Sequence, residues 1–244
     1  MTRLTALALA FAGMAGSANT SAAQERSYDL PAFHAVEIGT GIRASIEISE
    51  NRSVVATASR QELLDDVTMD VENGTLKIRF DSNLFDFILK GGIVGALING
   101  RPDLTVAISA PRIEAVTVRS GAVLAADGVS GDRLAARFES GAEGTFTNLA
   151  VGELSARAES GARVSATGSC AQMAVDVASG GTADLSRMAC ATADITAETG
   201  ARISVLARET ITGHASLGGR IIVYGDPDER TVDTSLGGTV SFED

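Results

Sequence analysis

Residues 132–167 read DRLAARFESGAEGTFTNLAVGELSARAESGARVSAT, two similar halves joined end to end. Gly141 and Gly161, each in a Ser-Gly-Ala triplet, mark the repeat. Working outward, Ser120-Gly121-Ala122 comes before them, and Ser179-Gly180-Gly181 and Thr199-Gly200-Ala201 follow. Two degenerate copies, Leu217-Gly218-Gly219 and Leu236-Gly237-Gly238, close the series. Successive glycines lie 20, 20, 19, 20, 18 and 19 residues apart. A fixed period of this length marks a solenoid and outranks any reading made element by element.

The flanks give the shape of each repeat. Positions −5 and −3 from each glycine read Val116/Val118, Ala136/Phe138, Ala156/Ala158, Val175/Val177, Ile195/Ala197, Gly213/Ala215 and Val232/Thr234. Positions +3 and +5 read Leu124/Ala126, Gly144/Phe146, Val164/Ala166, Ala183/Leu185, Ile203/Val205, Ile221/Val223 and Val240/Phe242. Of these 28 positions 25 are apolar, against about 13 expected from a 45% hydrophobic composition. The intervening −4 position is always polar: Thr117, Arg137, Arg157, Asp176, Thr196, His214, Asp233. That alternation is a strand on each side of a glycine bend. A further apolar mark seven before the glycine (Leu134, Leu154, Met173, Ala193, Ile211) predicts a third short side. Three sides make one coil of about twenty residues, and stacked coils form parallel sheets. An antiparallel meander reversing at each glycine is the alternative arrangement.

The N-terminal half repeats the pattern less regularly. Val36/Ile38, Thr40-Gly41 and Ala44/Ile46 keep the register, and Met69/Val71, Asn73-Gly74 and Leu76/Ile78 come close to it. Leu104, Val106 and Ile108 predict another strand. The expected corner glycines are therefore Gly41, Gly74, Gly121, Gly141, Gly161, Gly180, Gly200, Gly218 and Gly237. The expectation is one all-β solenoid domain over 28–244, with an irregular apolar insertion at about 81–102.

Several stretches carry a family resemblance: Phe33-His34-Ala35-Val36-Glu37-Ile38, Val71-Glu72-Asn73-Gly74-Thr75-Leu76-Lys77-Ile78, Leu104-Thr105-Val106 and the serial Ser-Gly-Ala corners. Together they resemble the head GIN domain family, the auto-transporter adhesin domains of bacterial envelope proteins. The resemblance implies a right-handed parallel β-helix and export to the envelope, and it carries no catalytic residues with it. An autotransporter uses a C-terminal membrane barrel, whereas this sequence ends at Val240-Ser241-Phe242-Glu243-Asp244, directly after its last repeat.

Composition narrows the function. With 20 Lys+Arg against 31 Asp+Glu the net charge is −11, which argues against nucleic acid as a partner. An aromatic content of 4% without Trp gives no stacking platform for bases and no ordinary sugar cleft. Arg3, the apolar run Leu4 to Gly13 and Ser21-Ala22-Ala23 follow the order of a secretory signal over 1–23, cleaved between Ala23 and Gln24. Removing Arg3 leaves 19 basic and 31 acidic residues, a mature charge of −12. No later apolar run reaches membrane-spanning length. The protein is expected to be exported, to the periplasm or the cell surface.

Candidate chemistry is sparse. His34 and His214 have no partner ligands at metal-binding spacing, and the corner serines lack a base, so neither catalytic, metal nor cofactor residues are assigned. Glu139, Glu159 and Glu198 recur at position −2 and could serve as paired carboxylates of a polysaccharide-processing enzyme. Arg137 and Arg157 lie two positions away on the same face, so a self-neutralising ladder is the simpler expectation. The calcium-binding nonapeptide pattern is missing, and Asp226-Pro227-Asp228-Glu229 reads as a solvated acidic turn. Thr145/Thr147, Ser165/Thr167, Asp184/Ser186 and Ser204 predict a hydroxyl-rich stripe on an outer face, as outward strand positions favour. The expectation is a non-enzymatic envelope module binding an envelope protein or glycan; the alternatives are the enzyme above and a structural oligomerising domain.

Two details complete the reading. Cys170 and Cys190 each lie ten residues before a corner glycine, so stacked coils bring them together, and an oxidising compartment favours a disulfide. Segment 84–98, which includes Phe85 and Phe87, interrupts the register with apolar residues. It either covers a solenoid end or forms a self-association or partner contact.

Overall fold

A computed structural model of the chain describes residues 23–80 and 104–243. The N-terminal part contains β1 (Gln24–Tyr28), β2 (Ala35–Ile38), β3 (Arg43–Ile48), β4 (Ser53–Ala58), the short α1 (Gln61–Asp65), β5 (Val67–Glu72) and β6 (Thr75–Phe80). Next come β7 (Leu104–Ala110), β8 (Ala115–Val118), β9 (Val123–Asp127) and β10 (Ser130–Phe138). The long β11 (Glu143–Ala158), β12 (Arg163–Val177), β13 (Thr182–Ala197) and β14 (Arg202–Ala215) follow, then β15 (Arg220–Tyr224), β16 (Glu229–Thr234) and β17 (Thr239–Glu243). Each long strand bends around most of a coil and pairs in parallel with its successor: Ala156 lies beside Val175, and Val175 beside Ile195.

Two main sheets result. The first runs β5, β6, β2, β8, then the C-terminal parts of β10 to β14, then β16. The second runs β1, β4, β7, β3, β9, then the N-terminal parts of β11 to β14, then β15 and β17. The parallel stacking excludes the meander for the coils from β8 onward.

The corners are four-residue turns. At one of them Ala162 N donates to Glu159 O at 3.2 Å, and the central residues Ser160 and Gly161 have φ of 54° and 74°. Two positive φ values in succession are the type I′ pattern, which admits glycine at no cost. A Cβ on Gly161 would meet nothing within 4 Å, so glycine is needed there for conformation and not for space. The corners also bond to one another: Gly121 N donates to Ser140 O, and Gly141 N to Ser160 O, both at 3.1 Å.

Three sequence expectations are corrected. The residues seven before each glycine, Leu134, Leu154, Met173, Ala193 and Ile211, are buried but belong to the first sheet, where they extend the −5/−3 alternation of the same strand. The third side lies further back, at Leu149 and Val151, or Met188 and Cys190. Period-two reading missed it because the chain kinks at Asn148 (φ 55°) and the alternation breaks there. Gly74 is not a solenoid corner. Asn73-Gly74 closes an antiparallel hairpin in which Glu72 faces Thr75, because the chain reverses there instead of climbing. The third correction concerns what lies beyond the Gly41 corner: β2 and β3 keep the expected coil register on β8 and β9, but β4 pairs antiparallel with both β7 and β1, so that end of the solenoid is a cap and not a further coil.

The core is a column of mostly aliphatic side chains, with an aromatic pair in one coil. Phe138 and Phe146 meet edge to face, ring centres 6.2 Å apart. A Cβ on Gly144 would come within 2.1 Å of the Phe138 ring, which explains a glycine at a core position. The coil above compensates with Ala158 beside Phe138 and Ala166 beside Phe146, keeping the layers at interior density. Residues 1–22 of the expected signal segment lie outside the described residues, and so does 84–98 with Phe85 and Phe87. Ala23 is the first described residue, and β1 starts at Gln24.

Candidate binding surface on the first sheet

The outer face of the first sheet carries parallel columns of side chains. One column is small: Ala115, Ala135, Ser155. Beside it run Glu37, Thr117, Arg137, Arg157 and Asp176, aligned by the parallel register. Two depressions lie along this face, and the small column floors the second of them. One, of about 240 Å³, is lined by Arg112, Glu114, Ser130, Asp132 and Arg133 among others. The other, of about 300 Å³, is lined by Ala115, Thr117, Ala135, Ser155, Arg137 and Arg157 among others. The result is a shallow trough with arginines on both sides. The −6 column of alanine and serine was visible in the sequence, but the placing of Arg112 and Arg133 on its other side depended on the fold.

The charges in this face pair off across the coils. Arg119 bridges Glu37 at 3.3 Å and Glu139 at 3.4 Å; Arg137 bonds Glu139 and reaches Glu159 at 3.8 Å. Arg157 then joins Glu159 at 3.6 Å and Asp176 at 2.5 Å. The Glu139 carboxylate raises the pKa of the Arg137 guanidinium. The ladder expected from the sequence is therefore present, and it engages two of the three carboxylates considered for catalysis. Glu198 stands outside it. Glu114, at the trough, accepts from Arg112 at 2.9 Å and lies 3.7 Å from Arg133.

The remaining candidates lie elsewhere. The hydroxyl stripe is on the outer face of the second sheet, where Ser165 Oγ donates to Thr145 Oγ1 at 3.4 Å. At one end Asp127 accepts from Thr147 and, at 2.8 Å, from Asn148 Nδ2, and these bonds lower its pKa, Thr147 contributing most. The His34 ring covers the Gly74 backbone, and His214 Nδ1 lies 3.1 Å from Asp233. Asp226 pairs with Arg230. Among the described residues no group of three or more His, Cys, Asp or Glu is placed to hold a metal, and no helix is long and apolar enough to cross a membrane. Cys170 and Cys190 are register partners on β12 and β13 and are disulfide-bonded, with Cα atoms 4.6 Å apart.

A family model described as "Putative auto-transporter adhesin, head GIN domain" matches residues 32–227, which span the cap apart from β1 and nearly all coils. The chain belongs to this family. No curated protein matches this head GIN domain chain. Its fold recurs in a solved "putative adhesin" from Bacteroides fragilis NCTC 9343, with TM-score 0.78 and 13% identity over 92% of this chain and 98% of that one. A "putative adhesin" from Parabacteroides merdae ATCC 43184 gives TM-score 0.64 at 14% identity with the same coverages. A protein from Parabacteroides distasonis ATCC 8503, titled a "putative lipid binding protein", gives the same four values. At such identities these likenesses show the head GIN fold alone.

Proposed function

We propose that this head GIN domain protein is an exported, non-enzymatic adhesion-type module that binds an envelope protein or a glycan. The carrying observation is the trough over Ala115, Ala135 and Ser155, a site where an extended ligand reaches the sheet between two sets of arginines. Small floor residues allow close approach, and the arginine forks supply directed donors for carboxylate or hydroxyl groups. The family's adhesin description agrees with this reading. Against the enzyme alternative, Glu139 and Glu159 are each engaged by two arginines within the ladder and are not presented as a free carboxylate pair on either side of a bound sugar.

The test uses the purified chain on an array of neutral and acidic glycans and in capture from envelope extracts, alongside an activity screen on the same polysaccharides. Binding that Ala135→Trp removes without shifting the melting temperature supports the trough. A shortened or altered polysaccharide in the screen overturns the non-enzymatic reading, and undiminished binding by Ala135→Trp overturns the site. Fractionation of the native host decides between periplasm and surface.

A further inference from the structure

Among the described residues the exposed large apolar side chains are Leu217 (53%), Leu236 (74%), Val232 (41%) and Phe242 (36%), all in the last two coils. Val232 and Phe242 are core-facing residues of the final coil. That end is guarded from within: Arg230 occupies the column filled lower down by Leu134, Leu154, Met173, Ala193 and Ile211, and its guanidinium lies 4.6 Å from the Phe242 ring centre. An inward-pointing charge of this kind discourages edge-to-edge association.

The two leucines are different. They are corner residues on adjacent coils, stacked by the register that places Arg202 beside Arg220 and Arg220 beside Thr239. Their φ values are 50° and 47°, a left-handed conformation that penalises a branched apolar side chain. Thr40, Ser120, Ser140, Ser160, Ser179 and Thr199 take the same conformation at the other corners, so the coil does not require leucine. A strained and exposed leucine where serine suffices points to a contact outside the chain.

The flanks indicate which contact. On the second-sheet side of the ridge Arg202 and Arg220 are exposed and directly beside one another, a like-charge pairing that destabilises a sheet. On the first-sheet side Glu198 is exposed. Ion pairs elsewhere in the described chain leave these three groups without one. We propose that the Leu217–Leu236 ridge is the centre of a two-fold dimer of this chain, two solenoids lying side by side and pointing the same way. A two-fold axis parallel to the solenoid sets leucine against leucine. It also turns the first-sheet flank of each copy toward the second-sheet flank of the other, so that Glu198 faces Arg202 and Arg220 of the second copy, twice over. An antiparallel pair of rods would bring arginines against arginines, so charge selects the parallel form. An apolar centre with a complementary charged rim is the usual anatomy of such an interface, here of small area and therefore weak.

The dimer is independent of the ligand read at the trough, and its test separates the two. Equilibrium sedimentation of the chain over rising concentration shows self-association. Leu217→Cys, which meets its own counterpart on the axis, gives an oxidised dimer on a non-reducing gel. Leu217→Ser with Leu236→Ser, the residue of other corners, keeps the melting temperature and weakens association by about tenfold or more. Arg202→Glu with Arg220→Glu lowers cross-linking, and adding Glu198→Arg to the same chain restores it. Three outcomes overturn the proposal: monomer at every concentration without a cross-link, cross-linking indifferent to the charge reversals, or capture by phosphatidylglycerol vesicles through Leu217 and Leu236 with the mass in solution unchanged. None of these disturbs the Ala135→Trp result.

Discussion

Within each Ser-Gly-Ala corner the three letters answer different demands. Serine and glycine both take positive φ, while Ala162 is buried at 0% exposure. Gly161→Ala adds a Cβ to open space in a left-handed conformation, so we expect a loss of about 1–2 kcal/mol in urea unfolding. Gly219→Ala is expected to cost more, because its Cβ would lie 2.2 Å from the Ala197 carbonyl oxygen and force the backbone of two coils apart. Equal losses in the two variants would contradict this division. Charge at single residues also sets a pH dependence. The carboxyls of Asp127, Asp65 and Glu72 are held below their ordinary values, chiefly by Thr147, Arg26 and Lys77 respectively. A depressed folded pKa adds stability above the unfolded value, roughly pH 4, and that stability is lost as pH falls through the folded value. Melting temperature should therefore be flat from neutrality to about pH 5 and fall below about pH 4, less steeply in Asp127→Asn.

The coil-to-coil ladder is the unit at the scale of elements. The disulfide joins β12 to β13 across a sequence separation of 20 residues, a loop whose closure is worth roughly 3 kcal/mol in the chain-entropy model. Cys170→Ala with Cys190→Ala should lose stability of that order. Alkylation of the native protein without reductant should leave the intact mass unchanged, and two added alkyl groups would show that the staple is absent. The ion-pair ladder contributes far less per pair. Arg157 and Arg137 are 45% and 44% exposed, so Arg157→Gln should cost only about 0.2–1 kcal/mol, with the difference shrinking at 1 M salt. A larger, salt-independent loss would mean that the side chain acts by packing.

At the scale of the whole molecule the two ends are built differently. The N-terminal end is sealed: β5 closes the first sheet, β1 and β4 close the second, and α1 lies against β1, β4 and β5, with Leu64 at 0% exposure. Arg26 Nη1 ties the helix by donating to the Leu64 carbonyl at 2.9 Å. In a stacked array the cap protects the first edge, so its loss exposes strands to association. Leu64→Ala is expected to cost about 2–5 kcal/mol and to raise amide exchange first in β1, β4 and β5. Uniform exchange along the solenoid would instead show that cap and coils unfold as one unit.

Sequence alone determined the coils. Alternation around Gly121, Gly141 and Gly161 requires strands meeting at a bend, and a twenty-residue period requires stacking, because each coil buries its apolar residues only against its neighbours. The same reasoning placed Cys170 beside Cys190 and paired the arginines with the glutamates, since equal repeat positions become spatial neighbours. Tertiary structure alone decided what repetition does not encode. Asn73-Gly74 resembles a corner residue by residue, yet it turns back because β5 pairs with β6 as a hairpin in the first sheet, while β6 lies parallel to β2. Arg112 and Arg133 face the trough through a kinked third side whose alternation is broken. Leu217 and Leu236 fill the serine position without disturbing the period, so their pattern is silent; only their exposure and left-handed backbone set them apart.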